Sequence, residues 1–513
     1  MLIDIIIVGV YFVAIMWLAL KGRVGKQIST EEYFLSSRNL RWPSIAISTI
    51  ATNIQGYQFL GMVGSAYLYG LAQANLEINA MQGILLAAFV FVPLYLRDKV
   101  VTITQFIQSR LGQRTGFVYS LANLAILSTL GLGAALFWGA YAADIVFESY
   151  LSWFHPSRVV RVISLAVTLG VFSAVYTYLG GLGAVVKTDI LQFVMLTTGG
   201  IIILVLAVYH AGGWSNLMEK QSDMMHLHLP ADHPTLPWIA IPGMLLLNIN
   251  YWCANQSVIQ RSLAARNLRE AQIGLMVGGI MKYGMAIIII IPGIALAAIL
   301  SDNPLSDPDQ AFPYMISHFL PQGLRGLIVC ALFASLMSTV DSLYNSLSTL
   351  WAVDIYKGWI NKSASDQQVV AAGRRSILVF LLTGIGMASI LTYVKFENPE
   401  LAFTHTLNDL RYFVNCGIVV LICGAAFLVV KREMWSILAF FLTIVLHLSI
   451  QVFSPDLNYF VRAMWVILLA FMVLVVLSKG FRKSGLSQDF GKDAVYAGWG
   501  LLLSLIMLHM IFH

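Results

Sequence analysis

The chain has 513 residues, of which 58% are hydrophobic and 11% charged, against about 25% charged in an ordinary soluble domain. That balance excludes a water-soluble globular protein and leaves one polytopic membrane domain with short linkers, spanning 1–513. The net charge of +6 fits basic loops facing an acidic inner leaflet and gives no reason to invoke nucleic acid.

A helix that crosses a bilayer needs about 20 mostly apolar residues. Fourteen segments meet that need, starting near Ile3, Ser44, Leu76, Phe117, Val159, Thr188, Trp238, Ile273, Gly323, Ser376, Phe403, Met434, Phe460 and Ala494. Too few residues precede the first for a basic signal region, so it reads as an uncleaved span. The second contains ATNIQGYQFLGMVG, with Asn53, Gln55, Gly56 and Gln58 at membrane depth, and the third carries Glu77. Asp189 directly precedes the apolar run Ile190 to Tyr209, where it would serve as a helix N-cap or as an ion ligand.

His226, His228 and His233 follow in an outside loop with Pro230 and Pro234 and read as solvated residues rather than a metal site. The seventh segment contains LNINYWCANQ, amide-rich like the second, and the eighth buries Lys282. Transporters build their sites where two spans are interrupted in corresponding positions of an inverted repeat. The two amide clusters would open two five-span repeats at 44–210 and 236–430, with one extra helix at 3–20 and three peripheral helices at 434–512. The alternative is that these amides simply hydrogen-bond between packed helices.

The ninth segment includes ALFASLMSTVDSLYNSLSTLWAVDIY, from Ala331 to Tyr356. Ser335, Ser338, Ser342, Asn345 and Thr349 recur at steps of three and four, so a helix places them on one face, with Asp341 beside it. Small hydroxyls and a carboxylate inside a membrane are expensive unless they meet partners, water or an ion. This helix is expected to line a pathway. In the eleventh segment His405 and Asp409 stand one turn apart, a spacing open to an intramembrane acyltransferase or hydrolase. No G-x-S-x-G string accompanies them. Cys253, Cys330, Cys416 and Cys423 lie within spans and read as apolar packers.

Loop charge sets orientation. With the N-terminus outside, the inside loops collect 23 of the 31 Lys and Arg residues. Both termini are therefore expected on the outer side of a cell membrane, a bacterial inner membrane.

Five strings together carry a family resemblance: EEYFLSSRNLRW at Glu31, IATNIQGYQFLGM at Ile50, TYLGGLGAVVKTDILQ at Thr177, QSVIQRSLAARNLREAQ at Gln256 and FASLMSTVDSLYNSLSTLWAVDIY at Phe333. The chain resembles the sodium:solute symporters over about Tyr33 to Val430, most of all the sodium/galactose and sodium/glucose cotransporters. The resemblance implies an all-α LeuT-like fold with a five-plus-five inverted repeat. It implies a symporter rather than an enzyme, with sodium co-transported, no other metal and no obligate protein partner.

Carried over by resemblance, a sodium ion would meet the carbonyls of Ala51, Ile54 and Ser335 and the hydroxyls of Ser338 and Thr339. Threonine at the last position departs from the commoner serine but keeps the oxygen. The alternative is that both hydroxyls bond back to their own helix. Asp189 and Asp341 would form a second cation site, or Asp341 would take up a proton. Substrate contacts fall on Gln58, Glu77, Asn248 and Lys282, with Tyr251 as a gate beneath the solute. Asn408 aligns, with a gap, to the family's glutamine.

The charges of Glu77 and Lys282 cancel, which predicts a small neutral solute such as a sugar or polyol. Inositol, an amino acid, sialic acid or another organic acid is the alternative. A plain ion pair between helices is the structural reading. Ala80 replaces a sugar-contacting serine, which leaves the identity of the sugar open.

Overall fold

The computed structural model describes residues 2–21, 29–54, 58–398, 403–482 and 490–513. The glutamine and glycine expected in the first interruption, Gln55 and Gly56, lie outside the described residues. Helix dominates because hydrocarbon offers no partner for an exposed N–H or C=O, so each apolar run must satisfy its own backbone.

The helices that matter here are α1 (Leu2–Leu20), α2 (Trp42–Asn53), α3 (Gln58–Arg97), α4 (Gln113–Val146), α5 (Arg158–His210), α6 (Trp238–Ala254) and α7 (Gln256–Leu263). After them come α8 (Leu268–Ile299), α9 (Leu324–Ile360), α10 (Asp366–Glu397), α11 (Phe403–Phe427), α12 (Glu433–Phe453), α13 (Tyr459–Val476) and α14 (Lys492–Ile511). Eleven described stretches are long and apolar enough to cross a membrane, fewer than the fourteen expected. The difference is one of continuity: α3 runs 40 residues and α5 runs 53, while α2 and α6 are short.

A straight helix of 53 residues would reach about 80 Å, far beyond one bilayer. α5 instead turns at Gly181, where φ is +55° and ψ is −157°, a conformation essentially reserved for glycine. A Cβ there would lie 2.4 Å from the Tyr33 carbonyl oxygen. The Tyr33 hydroxyl donates to the carbonyls of Thr177 at 3.1 Å and Tyr178 at 3.0 Å, which precede the turn. Asp189 therefore sits fully buried in mid-helix, well past the bend, and is not an N-cap.

Both expected interruptions occur. α2 ends at Ile54 (φ −79°, ψ 103°), and α6 gives way to α7 at Asn255 (φ −76°, ψ 114°). The two break residues thus share one extended conformation. Their surroundings differ. Behind Asn255 the hydroxyls of Tyr95 and Tyr119 donate to the carbonyls of Cys253 (2.7 Å) and Ala254 (2.8 Å). The carbonyls at the end of α2 face α9 instead.

α9 runs through the middle, with every residue from Ile328 to Thr349 buried. Around the outside, Val13 of α1, Leu382 of α10, Val452 of α12 and Met510 of α14 stay more than two-thirds exposed, as faces turned to lipid would. A short antiparallel ribbon, β1 (Leu428–Val430) with β2 (Ser478–Phe481), joins the ends of α11 and α13.

Candidate ion and solute site

The end of α2 leaves carbonyls without helical partners, and α9 presents hydroxyls to them. Ser335 Oγ donates to the Ile54 carbonyl at 2.7 Å. Thr339 Oγ1 lies 3.1 Å from the Ser335 carbonyl and 3.4 Å from that of Thr52. Ala51 belongs to the same last turn of α2. Ser338 turns away from this group and donates to Asp189 Oδ1 at 2.5 Å. Of the five oxygens expected around sodium, the Ile54 and Ser335 carbonyls and the Thr339 hydroxyl take part in these contacts between α2 and α9, whereas the Ser338 hydroxyl is turned toward α5.

One step along α9 lies a second polar cluster. Ser48 Oγ donates to Asp189 Oδ2, and the Arg261 guanidinium stands 3.5 Å from the same oxygen. Arg261 Nε also donates to Ser48 Oγ at 3.0 Å, and its Nη2 to Ser342 Oγ. Asp341 Oδ2 accepts from Tyr176 Oη at 2.7 Å, and Thr52 and Ser342 share a bond of 2.9 Å. All of these side chains are buried. Asp189 and Asp341 do belong to one network, but Arg261 is its resident cation. The eight residues of α7 are too few to read as a span, so the sequence does not mark Arg261 as buried.

The solute residues also converge. Gln58, Glu77, Asn248, Tyr251, Lys282 and Asn408 line one cavity of about 180 Å³, roughly six waters' worth of liquid and so the scale of one small solute. Ala80 lines it as well. Gln58 Nε2 donates to Glu77 Oε1 at 2.7 Å, and Lys282 Nζ pairs with Glu77 Oε2 and reaches Asn53 Oδ1. Asn53 Nδ2 then donates to Tyr251 Oη at 2.9 Å, while Asn248 Nδ2 holds the Asn79 carbonyl at 3.0 Å. A chain of contacts therefore runs from Gln58 to Tyr251 through a buried ion pair. Tyr251 also lines a second cavity of about 100 Å³, together with Thr52 and Thr339.

Other lining residues were not expected from the sequence, Asn53, Arg411, Asn415 and Phe460 among them. Asn53 was seen only as part of the break. Arg411 lines both cavities and donates to the Leu130 carbonyl. The signal was present: Asn408, Arg411 and Asn415 recur at steps of three and four, and all three line the first cavity. Arg411 thus joins Glu77 and Lys282 in the cavity's charged lining. Phe460 lines it too, so α13 is not merely peripheral.

Of the enzyme-like pair, the side chain of His405 lies outside the described residues, and Asp409 is held by Arg462 of α13 and lies 3.1 Å from His447 Nε2 of α12. The loop histidines are not simply solvated. His228 Nε2 lies 3.0 Å from His509 Nδ1 of α14, and His233 Nδ1 accepts from the Leu236 amide at 3.0 Å. Among the described residues no group of three His, Cys, Asp or Glu side chains could hold a metal ion.

A model of the sodium:solute symporter family matches residues 33–422. The sodium/glucose cotransporter of Vibrio parahaemolyticus is 30% identical over 419 residues, covering 76% of this chain and 75% of that protein. Sodium/glucose cotransporter 1 of Ovis aries is 30% identical and the sodium/myo-inositol cotransporter of Homo sapiens 28%. The matches cover 76% and 78% of this chain but only 63% and 60% of those longer relatives. A solved Na+-coupled sialic acid symporter, 19% identical, superposes with a TM-score of 0.79 over 94% of this chain and 99% of its own. At that identity the likeness speaks for the fold alone.

Proposed function

The chain belongs to the sodium:solute symporter family, and from that premise we propose that it takes up a sugar or similar polyol by alternating access. It is a multi-pass membrane transporter coupled to sodium, not an enzyme. The finer reading rests on one observation: six residues expected to contact a sugar surround a single cavity, beside the interrupted helix whose carbonyls face hydroxyls. Amides and a carboxylate suit the paired donor and acceptor of a sugar hydroxyl. The Tyr251 ring suits the C–H face of a pyranose.

Sodium binds, in this reading, among the carbonyls of Ala51, Ile54 and Ser335 and the hydroxyls of Ser338 and Thr339. The contrast between the two breaks supports the choice. Tyrosine hydroxyls already cap the carbonyls behind Asn255, whereas at the end of α2 the bond from Thr339 to Thr52 is long at 3.4 Å. A cation there would displace the Ser335 hydroxyl from the Ile54 carbonyl. Asp189 and Asp341 serve a second cation, since two carboxylates face one guanidinium.

With both termini outside, sodium enters from the outer face and stabilises an outward-open state. Tyr251, between the two cavities, closes beneath the solute before the repeats 44–210 and 236–430 rock to open inward. The membrane potential adds about 2.3 kcal/mol per charge per 100 mV. The Glu77–Lys282 pair taken alone favours a neutral solute. The test is uptake of labelled galactose and glucose into proteoliposomes with and without an inward sodium gradient. Sodium-dependent uptake of either supports the reading, and uptake of both at equal rates without sodium refutes it.

A further inference from the structure

We propose that a cavity at the inner face, outside the ion and solute site, binds a phosphate group. It has a volume of about 420 Å³ and lies where the end of α3 meets the short helix Ile103–Leu111 and the chain just after β2. With both termini outside, these loops face the cell interior. Lys99, Arg110 and Arg482 line the cavity against one carboxylate, Asp98. Both oxygens of that carboxylate are already taken. Oδ1 accepts from Arg97 Nε at 3.1 Å and Oδ2 from Arg110 Nη2 at 2.9 Å. Among the described residues, Lys99 and Arg482 therefore line the cavity with no acidic partner.

Arg482 carries the argument furthest. Its Nε is buried and meets no hydrogen-bond acceptor among the described residues. A buried donor left unpaired is costly, and a bound ion that completes it accounts for it. Burial, and next the Arg110 guanidinium, hold Arg482 below its ordinary range; an anion between the two offsets both effects. Arg110 cannot simply swing away into water, since its side chain is only 6% exposed and its guanidinium lies over the Phe106 ring, 4.4 Å from the centroid. Lys99 is fixed as well. Its φ is +49°, a region that costs a residue with a side chain, and its carbonyl accepts from Arg38 Nη2 at 3.0 Å. Guanidinium forks and an ammonium match the oxygens of a phosphate group, as basic pockets between membrane helices match phospholipid headgroups. The same short helix is fastened to the transport core. Thr102 Oγ1 at its start donates to Asp354 of α9 at 2.6 Å, and the Ile103 N–H to Gln256 Oε1 of α7 at 3.2 Å. An occupied site would thus tie the ribbon between α11 and α13 to α7 and α9.

The probes are inorganic phosphate and phosphatidylglycerol, each added to the full chain in dodecyl maltoside, a detergent without phosphate. The readout is the melting temperature, with sodium chloride at equal ionic strength as the control. A saturable rise is expected with at least one probe. Saturation by inorganic phosphate assigns the site to a free phosphate compound of the cell interior, and saturation by phosphatidylglycerol alone assigns it to an inner-leaflet headgroup. Arg482→Gln and Lys99→Asn should each raise the half-maximal concentration about tenfold. Lys99 is exposed and asparagine accepts its left-handed backbone, so this variant keeps the test intact if Arg482→Gln misfolds. No rise with either probe overturns the proposal. So does a rise that never saturates, which is the general salting effect of phosphate, or one that either variant shows unchanged.

Discussion

Glu77 of α3 and Lys282 of α8 meet as an ion pair with side chains only 3% and 2% exposed. Each brings a second contact: Gln58 holds the carboxylate and Asn53 the ammonium. Burying two charges costs several kcal/mol each, and their attraction offsets that only when the remaining atoms are also satisfied. Here they are satisfied by the two residues that flank the break after α2, which ties the pair to the region proposed to move.

Removing one member of the pair strands the other. Lys282→Met is expected to destabilise by about 3–5 kcal/mol, read as a fall in melting temperature in detergent. Glu77→Gln with Lys282→Met should recover most of that stability but not uptake. Gln58→Ala should lower uptake while sodium binding stays measurable. A double variant that transports like the wild type would assign the pair to structure only.

Thr339→Ala tests the ion site. Losing one neutral ligand oxygen costs about 1–1.4 kcal/mol, roughly a five- to tenfold rise in the sodium concentration for half-maximal uptake. Thr339→Ser should stay near the wild type. Unchanged sodium dependence in the alanine variant would remove Thr339 from the site.

The turn at Gly181 makes a prediction about folding alone. Gly181→Ala places a Cβ 2.4 Å from the Tyr33 carbonyl oxygen in a backbone region side chains avoid. The expected loss is about 1–3 kcal/mol, measured by thermal melting. Tyr33→Phe, which gives up the bonds to Thr177 and Tyr178, should cost about 1 kcal/mol.

Acid should loosen the contact between the 226–228 segment and the C-terminal end. Burial, and next the neighbouring His513, hold His228 below its usual range, and its ring stacks on His509. An unfolded imidazole titrates near 6.5. The unfolded chain therefore binds more protons here, so this contribution to stability is full above about pH 6.5 and is lost as pH falls toward the folded value. The melting temperature should drop between roughly pH 7.5 and 5.5, and His228→Gln should flatten that drop. His509 Nε2 also lies 3.1 Å from Asn79 Oδ1, and the Asn79 carbonyl holds Asn248. A change in solute affinity with the same profile is expected. An identical slope in the variant would assign the pH effect to other groups.

Much of the site was legible because a polar residue inside an apolar run is conspicuous. The two amide clusters marked real breaks, and the hydroxyl row of α9 does face the end of α2 and the buried Arg261 network. Asp189 was misread as a possible cap because the apolar run after it looked like a helix start. The true start is Gly181, and an unbroken run of residues able to form helix hid it. Arg411 is harder to read from the sequence, because a charge near a span edge ordinarily snorkels to water. Only its neighbours at helical spacing hinted that it points inward.

Composition and pattern alone make this a helical membrane protein, mark where its chain breaks within the bilayer and pick out the helix with a polar face. Those follow from local rules: hydrocarbon admits only segments that satisfy their own backbone, and periodicity assigns each side chain to a face. What that face meets was decided by tertiary structure alone. The pairing of Lys282 with Glu77 and Asn53, of Arg261 with Asp189, and the turning of Arg411 and Phe460 toward one cavity depend on how helices rotate and cross. Between membrane helices that choice is made by close packing and interhelical hydrogen bonds, which act between residues far apart in the chain and leave no local period to read.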